Sequence, residues 1–391
     1  MQASTGLPGQ RGVNGARGRR GLRRNAGVPS RAVRVYLDNT RSALSLNHGV
    51  GNVGTHYFLA LKRYGRDVDP VFLYRRGAGP PAQNLEALRA LGCTPLRAYH
   101  PYLSLDLPLR GRILHSSYHK LPSLPFRTRI LHVHDVWTLR PNPYQSSAFQ
   151  EGRADKLRRV LERADLYTVL TETLRDEMVS ELGIGADRIA VTGYGWPRSL
   201  EGDPWPVPDE GAEEGPAGPY ALIVARIEAR KNYEHVTRAV AAVPGLRLVV
   251  VGIPGFEGER TVEESFPTLR EQGRLTWQRR VSPAQLEQLY RGALAYICPS
   301  WEEGFGITLL EAMSYGTPVI TSDRSANREV VAGGGTLVDP ADWEASAGCL
   351  AALLADPDVR VEHSRRAAER AAQFRWEDVA ARLEALYGSV A

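Results

Sequence analysis

From Arg34 onward, short apolar runs alternate with stretches of helical period. Val33–Leu37, Val68–Tyr74, Arg112–His115, Arg129–His134, Leu166–Leu170 and Arg188–Thr192 are brief hydrophobic runs bounded by turn residues, and they predict strands. Thr55–Tyr64, Leu85–Leu91, Asp155–Arg163 and Thr173–Leu182 predict the helices between them, and the glycine-rich stretch Gly49–Gly54 reads as a loop. Residues 201–219 hold so many prolines and glycines that neither a ladder nor a helix persists, which marks an interdomain linker. The alternation then restarts. Strands are predicted at Tyr220–Ala225, Leu246–Val251, Leu275–Trp277, Leu294–Ile297, Pro318–Thr321 and Thr336–Val338. Helices are predicted at Tyr233–Val243, Pro283–Tyr290, Thr308–Ser314, Trp343–Ala355, Val359–Gln373 and Glu377–Tyr387. Short buried strands separated by helices imply parallel sheets covered on both faces. The expected fold class is therefore α/β, with two doubly wound Rossmann-like domains and a ligand cleft at the carboxyl ends of their strands. The boundaries expected are a tail over 1–31, a first domain over 32–200, the linker 201–219, a second domain over 220–374 and a terminal helix over 375–391.

At 391 residues the chain is long enough for two cores. A hydrophobic share of 43% and a charged share of 24% fit a soluble globular protein, and no apolar run approaches the length of a membrane span. No apolar leader is visible, so a cytoplasmic location is expected. Cys93, Cys298 and Cys349 are too few and too scattered for a disulfide framework or a zinc site. The formal charge of +5 is deceptive. Residues 1–31 hold seven arginines and no acid, so the rest of the chain is net acidic and gives no compositional case for nucleic-acid binding. Glycine recurs every third position from Gly6 to Gly21, but too few repeats and too little proline accompany it for a collagen helix. The tail reads as disordered, which leaves open a contact with anionic surfaces, peripherally at a membrane included, or no role at all.

The densest chemistry lies in Pro299–Ser322. A predicted strand ends at Pro299, and a turn through Gly304, Phe305 and Gly306 feeds a helix. Free amides at that helix start, those of Gly306 and Ile307, form an anion site because unpaired N–H groups and the helix dipole point the same way. Glu303 precedes the turn and Glu311 lies about one turn inside the helix. By themselves these two carboxylates are equally consistent with a capped, solvated helix. Arg226 and Lys231 lie in a second strand-to-helix connection, which places them at the same sheet edge. There they suit phosphate and can offset charge on a departing nucleotide. Gly252 ends another strand and is placed to line a nucleotide base.

Together these residues resemble glycosyltransferase family 4, the mannosyltransferase-like group with GT-B architecture. Glu303 and Glu311 match its E-x7-E signature in the context Glu-Gly-Phe-Gly…Glu-Ala-Met…Gly-Thr-Pro-Val, and Arg226 and Lys231 match its pyrophosphate pair. Ser322-Asp323, Arg328-Glu329-Val330 and Val338-Asp339-Pro340 continue the likeness, and Phe374–Glu377 resembles the approach to the final helix that crosses back to the first domain. In the first domain the match is looser. Gly49–Gly54 resembles a Gly-Ile-Gly-Arg-Tyr loop but has Asn52-Val53 in place of Arg-Tyr, and His134-Asp135 resembles a His-Asp dipeptide whose histidine faces the donor sugar.

The resemblance implies a retaining glycosyltransferase that needs no metal and uses a nucleotide-diphosphate sugar, GDP-mannose or a UDP-sugar, as donor. The acceptor it implies is a hydroxyl of a saccharide or of a lipid-linked sugar. Its catalytic set would be Glu303, His134, Arg226 and Lys231. Its donor set would be Arg226, Lys231, Glu303, Gly304, Phe305, Gly306, Ile307, Glu311 and Gly252. Gly51, Asn52 and Asp135 would lie on the acceptor side. The residues alone leave open another GT-B activity, such as a sugar-nucleotide epimerase or a disaccharide synthase, and a non-catalytic binding protein. No Asp-x-Asp pair that would hold Mn²⁺ or Mg²⁺ stands at such a site. Trp137, Trp196 and Trp205 read as interface packing ahead of a sugar platform.

Overall fold

The computed structural model describes residues 32–38, 49–75, 96–98, 112–117, 121, 126–140, 147–196 and 216–391. The tail, the helix expected at Leu85–Leu91 and the linker up to residue 215 lie outside the described residues. The first half forms β1 (Val33–Asp38), α1 (Gly49–Tyr64), β2 (Val68–Arg75), β3 (Leu96–Ala98), β4 (Ile113–Ser116), β5 (Thr128–His132), α2 (Ser147–Leu161), β6 (Leu166–Val169), α3 (Glu172–Leu182) and β7 (Ile189–Val191). The second half forms β8 (Tyr220–Val224), α4 (Tyr233–Ala241), β9 (Arg247–Val251), α5 (Gly258–Ser265), α6 (Pro267–Glu271), β10 (Leu275–Gln278), α7 (Pro283–Gly292), β11 (Ala295–Cys298), α8 (Ile307–Ser314), β12 (Val319–Ser322), α9 (Ser325–Val331), β13 (Thr336–Val338), α10 (Trp343–Ala355), α11 (Pro357–Ala371) and α12 (Trp376–Gly388).

The strands build two parallel sheets. One has the order β3-β2-β1-β4-β5-β6-β7 and the other β10-β9-β8-β11-β12-β13. In each, the order reverses beside the first strand of the unit, and crevices for ligands open at that point in doubly wound sheets. Pro70 sits in β2 without cost on one side, because β3 pairs only with Leu73–Arg75.

One apolar cluster runs from β1 and α1 through Tyr194, Phe305 and Trp376 into the core of the second sheet. A second cluster fills the other face of the first sheet, between Leu114, Leu131, Val169, Leu174 and Met178. Helix α12 lies against α1 of the first half. Trp376 donates its indole N–H to the Trp196 carbonyl (2.6 Å), and the Tyr387 hydroxyl meets His115 Nδ1 (2.7 Å). The terminal helix thereby joins the hydrogen bonding of the first sheet.

The local reading needs three corrections. Gly49–Gly54 is not a loop, because α1 starts at Gly49 and includes Gly51 and Asn52. Val53, Tyr57 and Leu61, spaced by four, all bury on one face, so tertiary burial extends the helix through residues of poor propensity. The strand expected to reach His134 stops at His132, and Val133–Val136 leave the sheet. Helices α5, α6 and α9 and strand β3 have no counterpart among the predicted elements. The N-cap positions of α5 and α9 are Glu257 and Arg324, neither with a capping side chain, so the usual start signal is missing.

Candidate active site

Two connections at the carboxyl edge of the second sheet form the candidate site. One follows β8 and carries Arg226 to Lys231. The other follows β11 and carries Pro299 to Gly306. Bonds to three backbone carbonyls help join them. The Trp301 N–H donates to the Arg230 carbonyl (3.0 Å), Arg230 Nη1 donates to the Glu302 carbonyl (2.5 Å), and Asn232 Nδ2 donates to the Pro299 carbonyl (3.2 Å). Asn232 adopts a left-handed conformation (φ 58°) at the start of α4, which turns the chain back after Lys231.

Between these connections lies Glu303, whose side chain is 11% exposed. Lys231 pairs with its Oε1, and Arg230 Nη1 lies 3.3 Å from its Oε2. Burial alone works to raise the pKa of such a carboxyl. Lys231 and Arg230 overcome that and hold it down at about 2, so Glu303 is a permanent anion at physiological pH. Its backbone is fixed as well. The Ser325 hydroxyl accepts from the Glu303 N–H (3.2 Å) and donates to its carbonyl (2.5 Å), tying the residue to the start of α9.

Helix α8 begins after Gly306, which has φ 81°, a conformation that glycine adopts without strain. The Leu309 N–H already bonds the Gly306 carbonyl (2.9 Å). The amides of Ile307 and Thr308 have no preceding helical turn to bond, and they carry the positive end of the helix dipole. Leu309, Leu310, Ala312 and Met313 bury in the core, which leaves Glu311 on the half-buried face. Its Oε2 accepts a hydrogen bond from the Tyr290 hydroxyl (2.9 Å), and the Tyr290 ring stacks on Tyr315 at 5.6 Å. Phe305 is buried between Tyr194 and Phe374, so its side chain belongs to the core and only its backbone borders the turn.

Arg226 is 53% exposed at the same edge, 3.5 Å from Glu228, which leaves its guanidinium accessible to solvent. Gly252 follows β9 directly, where a Cβ would overlap the Ala225 carbonyl oxygen, so only glycine fits between these strand ends. Trp277 Nε1 donates to its carbonyl (2.9 Å).

The first domain meets this edge directly. A Cβ on Gly304 would overlap the His134 carbonyl oxygen, so the two backbones touch across the seam. The Thr171 hydroxyl donates to the Gly304 carbonyl (3.2 Å). The His134 imidazole is buried, with Nε2 2.8 Å from the Ser117 carbonyl, which assigns the proton to that nitrogen, and its ring lies 4.5 Å from that of His132. Burial raises the pKa of the neighbouring Asp135, against the charges of Arg230, His134 and Arg153. Gly51 and Asn52 stand in the first turns of α1. Of the residues singled out from sequence, Arg226, Lys231, Glu303, Gly304, Gly306 and Ile307 gather at this edge with Gly252. Glu311 stands farther along α8, and His134 and Asp135 face them from the first domain.

Some participants were missed. Arg230 touches both Glu303 and the first-domain Trp137, its guanidinium 5.2 Å from that ring. Its place beside Lys231 was a signal, whereas the contact with Trp137 has none in sequence. Glu329 caps α3 of the other domain, accepting from the Glu172 and Thr173 amides (2.9 and 2.8 Å) and the Thr173 hydroxyl (2.8 Å). Arg140 bridges Glu177 (3.0 Å) and Glu181 (2.7 Å) of α3 to Glu302 (3.4 Å). A cavity of about 910 Å³ opens at this seam, lined among others by Arg140, Thr173, Trp301, Glu302, Arg324 and Glu329. Among the described residues no group of three or more His, Cys, Asp or Glu is arranged to hold a metal ion, and no helix is long and apolar enough to cross a membrane.

Two Rossmann-like domains that close on a shared edge of this kind define the GT-B fold, and solved structures agree. Sucrose-phosphate synthase from Thermosynechococcus elongatus superposes with a TM-score of 0.65 at 21% identity, over 91% of this chain and 98% of that one. Anabaena HepE, solved in complex with UDP and glucose, superposes with a TM-score of 0.65 at 16% identity, over 91% and 100%. Residues 211–374 match the family model for glycosyl transferases group 1, so the edge built by Arg226, Lys231 and Glu303 lies within a domain of that type. The chain is 31% identical over 229 residues to O-antigen chain mannosyltransferase B of Escherichia coli, covering 56% of this chain and 59% of that protein. It is 31% identical over 288 residues to the D-inositol 3-phosphate glycosyltransferase of Nocardia farcinica, covering 67% and 62%. Across these and two further inositol-phosphate relatives, it spans between 40% and 66% of the relative's length.

Proposed function

We propose that this chain is a retaining glycosyltransferase that moves a hexose, mannose first among the candidates, from a nucleotide-diphosphate sugar to a hydroxyl of a saccharide or glycolipid acceptor. The observation that carries this reading is the buried anion Glu303 set against Lys231 and Arg230 beside the open start of α8. A diphosphate would sit against Arg226, Lys231 and the amides of Gly306 and Ile307, where fixed positive charge stabilises a leaving nucleotide. These cations offset the phosphate charge, so the reading requires no resident metal ion. Glu303 would accept hydrogen bonds from donor-sugar hydroxyls, Glu311 would take the ribose and Gly252 would border the base. His134 and Asp135, with the start of α1 at Gly51 and Asn52, would cover the sugar from the first domain and limit water.

In the transfer, the acceptor oxygen forms a bond to the anomeric carbon on the face that the diphosphate leaves. The carbon–oxygen bond to the diphosphate breaks, and the acceptor proton passes to the departing phosphate oxygen. The configuration is retained, and no protein nucleophile is needed. The match to a relative named a mannosyltransferase supports mannose, and the relatives named D-inositol 3-phosphate glycosyltransferases support transfer to a hydroxyl. The reaction as proposed runs in the cytoplasm, where nucleotide sugars are made. The test is proton NMR of reactions containing GDP-mannose, UDP-glucose or ADP-glucose with saccharide acceptors in a chelator. A new glycosidic linkage with the donor's anomeric configuration is expected. Donor isomerised without acceptor, or an inverted linkage, contradicts the proposal.

A further inference from the structure

We propose that Arg230 is a positioning residue for this reaction: it keeps Glu303 an anion while Lys231 turns from that carboxylate to the donor's diphosphate. The inference rests on the functional reading above and deepens it. Lys231 holds two assignments. It is the ammonium paired with Glu303 in this structure, and in the function proposed above it is also a cation that meets the diphosphate. A lysine on its flexible stem can swing between the two, and a diphosphate draws it strongly. Once drawn away, it leaves Glu303 buried with one cation fewer, a costly state for a carboxylate.

Arg230 is built to stay. Its side chain is 14% exposed. Nη1 is anchored on the Glu302 carbonyl and lies 3.3 Å from Glu303, Nη2 lies 3.6 Å from Glu228, and Trp137 of the first domain covers the guanidinium at 5.2 Å. The charges around it come from every side. Glu228 and Glu303 are in ion-pair reach, the Glu302 carboxylate and Asp135 act at longer range, and His134 and Arg153 bear on it through Asp135. Its Nε is buried with no hydrogen-bond partner among the described residues. The fold therefore leaves part of this planar donor set unused, as expected of a group retained for where its charge sits.

The test compares Arg230→Gln and Arg230→Lys with wild type in donor turnover across pH. In R230Q the acid limb of kcat, which reports the donor-bound state, should move up by about one pH unit or more, with kcat about tenfold lower and donor KM changed less than kcat, and R230K should restore the limb. A limb that stays in place while only thermal stability falls overturns the proposal. A second readout needs no turnover. The Glu303 carboxyl is followed by carbon-13 NMR, assigned with Glu303→Gln. In Lys231→Met it should stay ionised at pH 5, and in the double variant with R230Q it should be protonated there. Equal ionisation in both overturns the role of Arg230. Wild type that turns over no nucleotide sugar, with the NMR result as expected, instead counts against the glycosyltransferase reading.

Discussion

Glu303 and Glu311 are the two carboxylates of one motif, yet the fold gives them different company. Glu303 is walled in by two cations from a neighbouring connection, and its charge is fixed. Glu311 is met by a neutral hydroxyl, that of Tyr290, itself held by ring stacking on Tyr315. The contrast teaches that the motif is two devices. One is an electrostatic post at the sheet edge, and the other is an oriented hydrogen-bond acceptor farther along the helix. In the proposed reaction the first meets the sugar end of the donor and the second meets the ribose.

The largest effect should come from removing the cations proposed to meet the diphosphate. Lys231→Ala or Arg226→Ala should each lower kcat/KM by roughly 10²–10³-fold with the fold intact by circular dichroism. Near-normal turnover in both would remove the site assignment. Glu303→Gln should lower turnover by about 10²-fold and also change acid stability. The sign follows from a folded pKa of about 2 against an ordinary 4.5. The ionised carboxylate stabilises the fold above about pH 4.5, and that contribution is lost as pH falls from there towards 2. Denaturant melts of wild type should weaken over this window, and E303Q should be flatter across it. An equal slope in the two proteins would argue that Glu303 is not held by its cations.

Gly304→Ala forces a methyl into the His134 carbonyl across the seam. Backbone cannot yield there as a side-chain tip can, so kcat should fall by about tenfold as the domains are pushed apart. A fully active G304A would mean the closed seam is not the working arrangement. On the second device, Tyr290→Phe removes the hydroxyl on Glu311 and should raise donor KM by roughly three- to tenfold with kcat little changed. The smallest effect is expected from Glu329→Gln, which weakens the cap on α3. It should cost about 1 kcal/mol in stability by denaturant titration, with only a modest change in turnover.

Much of this site was legible in the sequence, and the reasons are local. Glu303, Glu311, Arg226 and Lys231 sit at strand-to-helix connections, so period and punctuation alone bring them to one sheet edge. The alternation of apolar runs likewise announces two parallel sheets. What was hidden depends on residues far apart in the chain. Arg230 on Trp137, Glu329 on the α3 amides and Tyr290 under Glu311 each join elements that no short window contains. The early start of α1 was hidden for a related reason, since burial of Val53 beneath the first sheet outweighs the propensity of its glycines.

The central claim is that the edge around Glu303 and Lys231 is a nucleotide-sugar site. Isothermal titration of GDP-mannose, UDP-glucose and ADP-glucose into wild type and Lys231→Ala tests it most directly. At least one donor should bind wild type with a Kd in the range of about 1 μM to 1 mM and bind the variant at least about tenfold more weakly. No heat from any donor, or equal affinity for both proteins, would contradict the account.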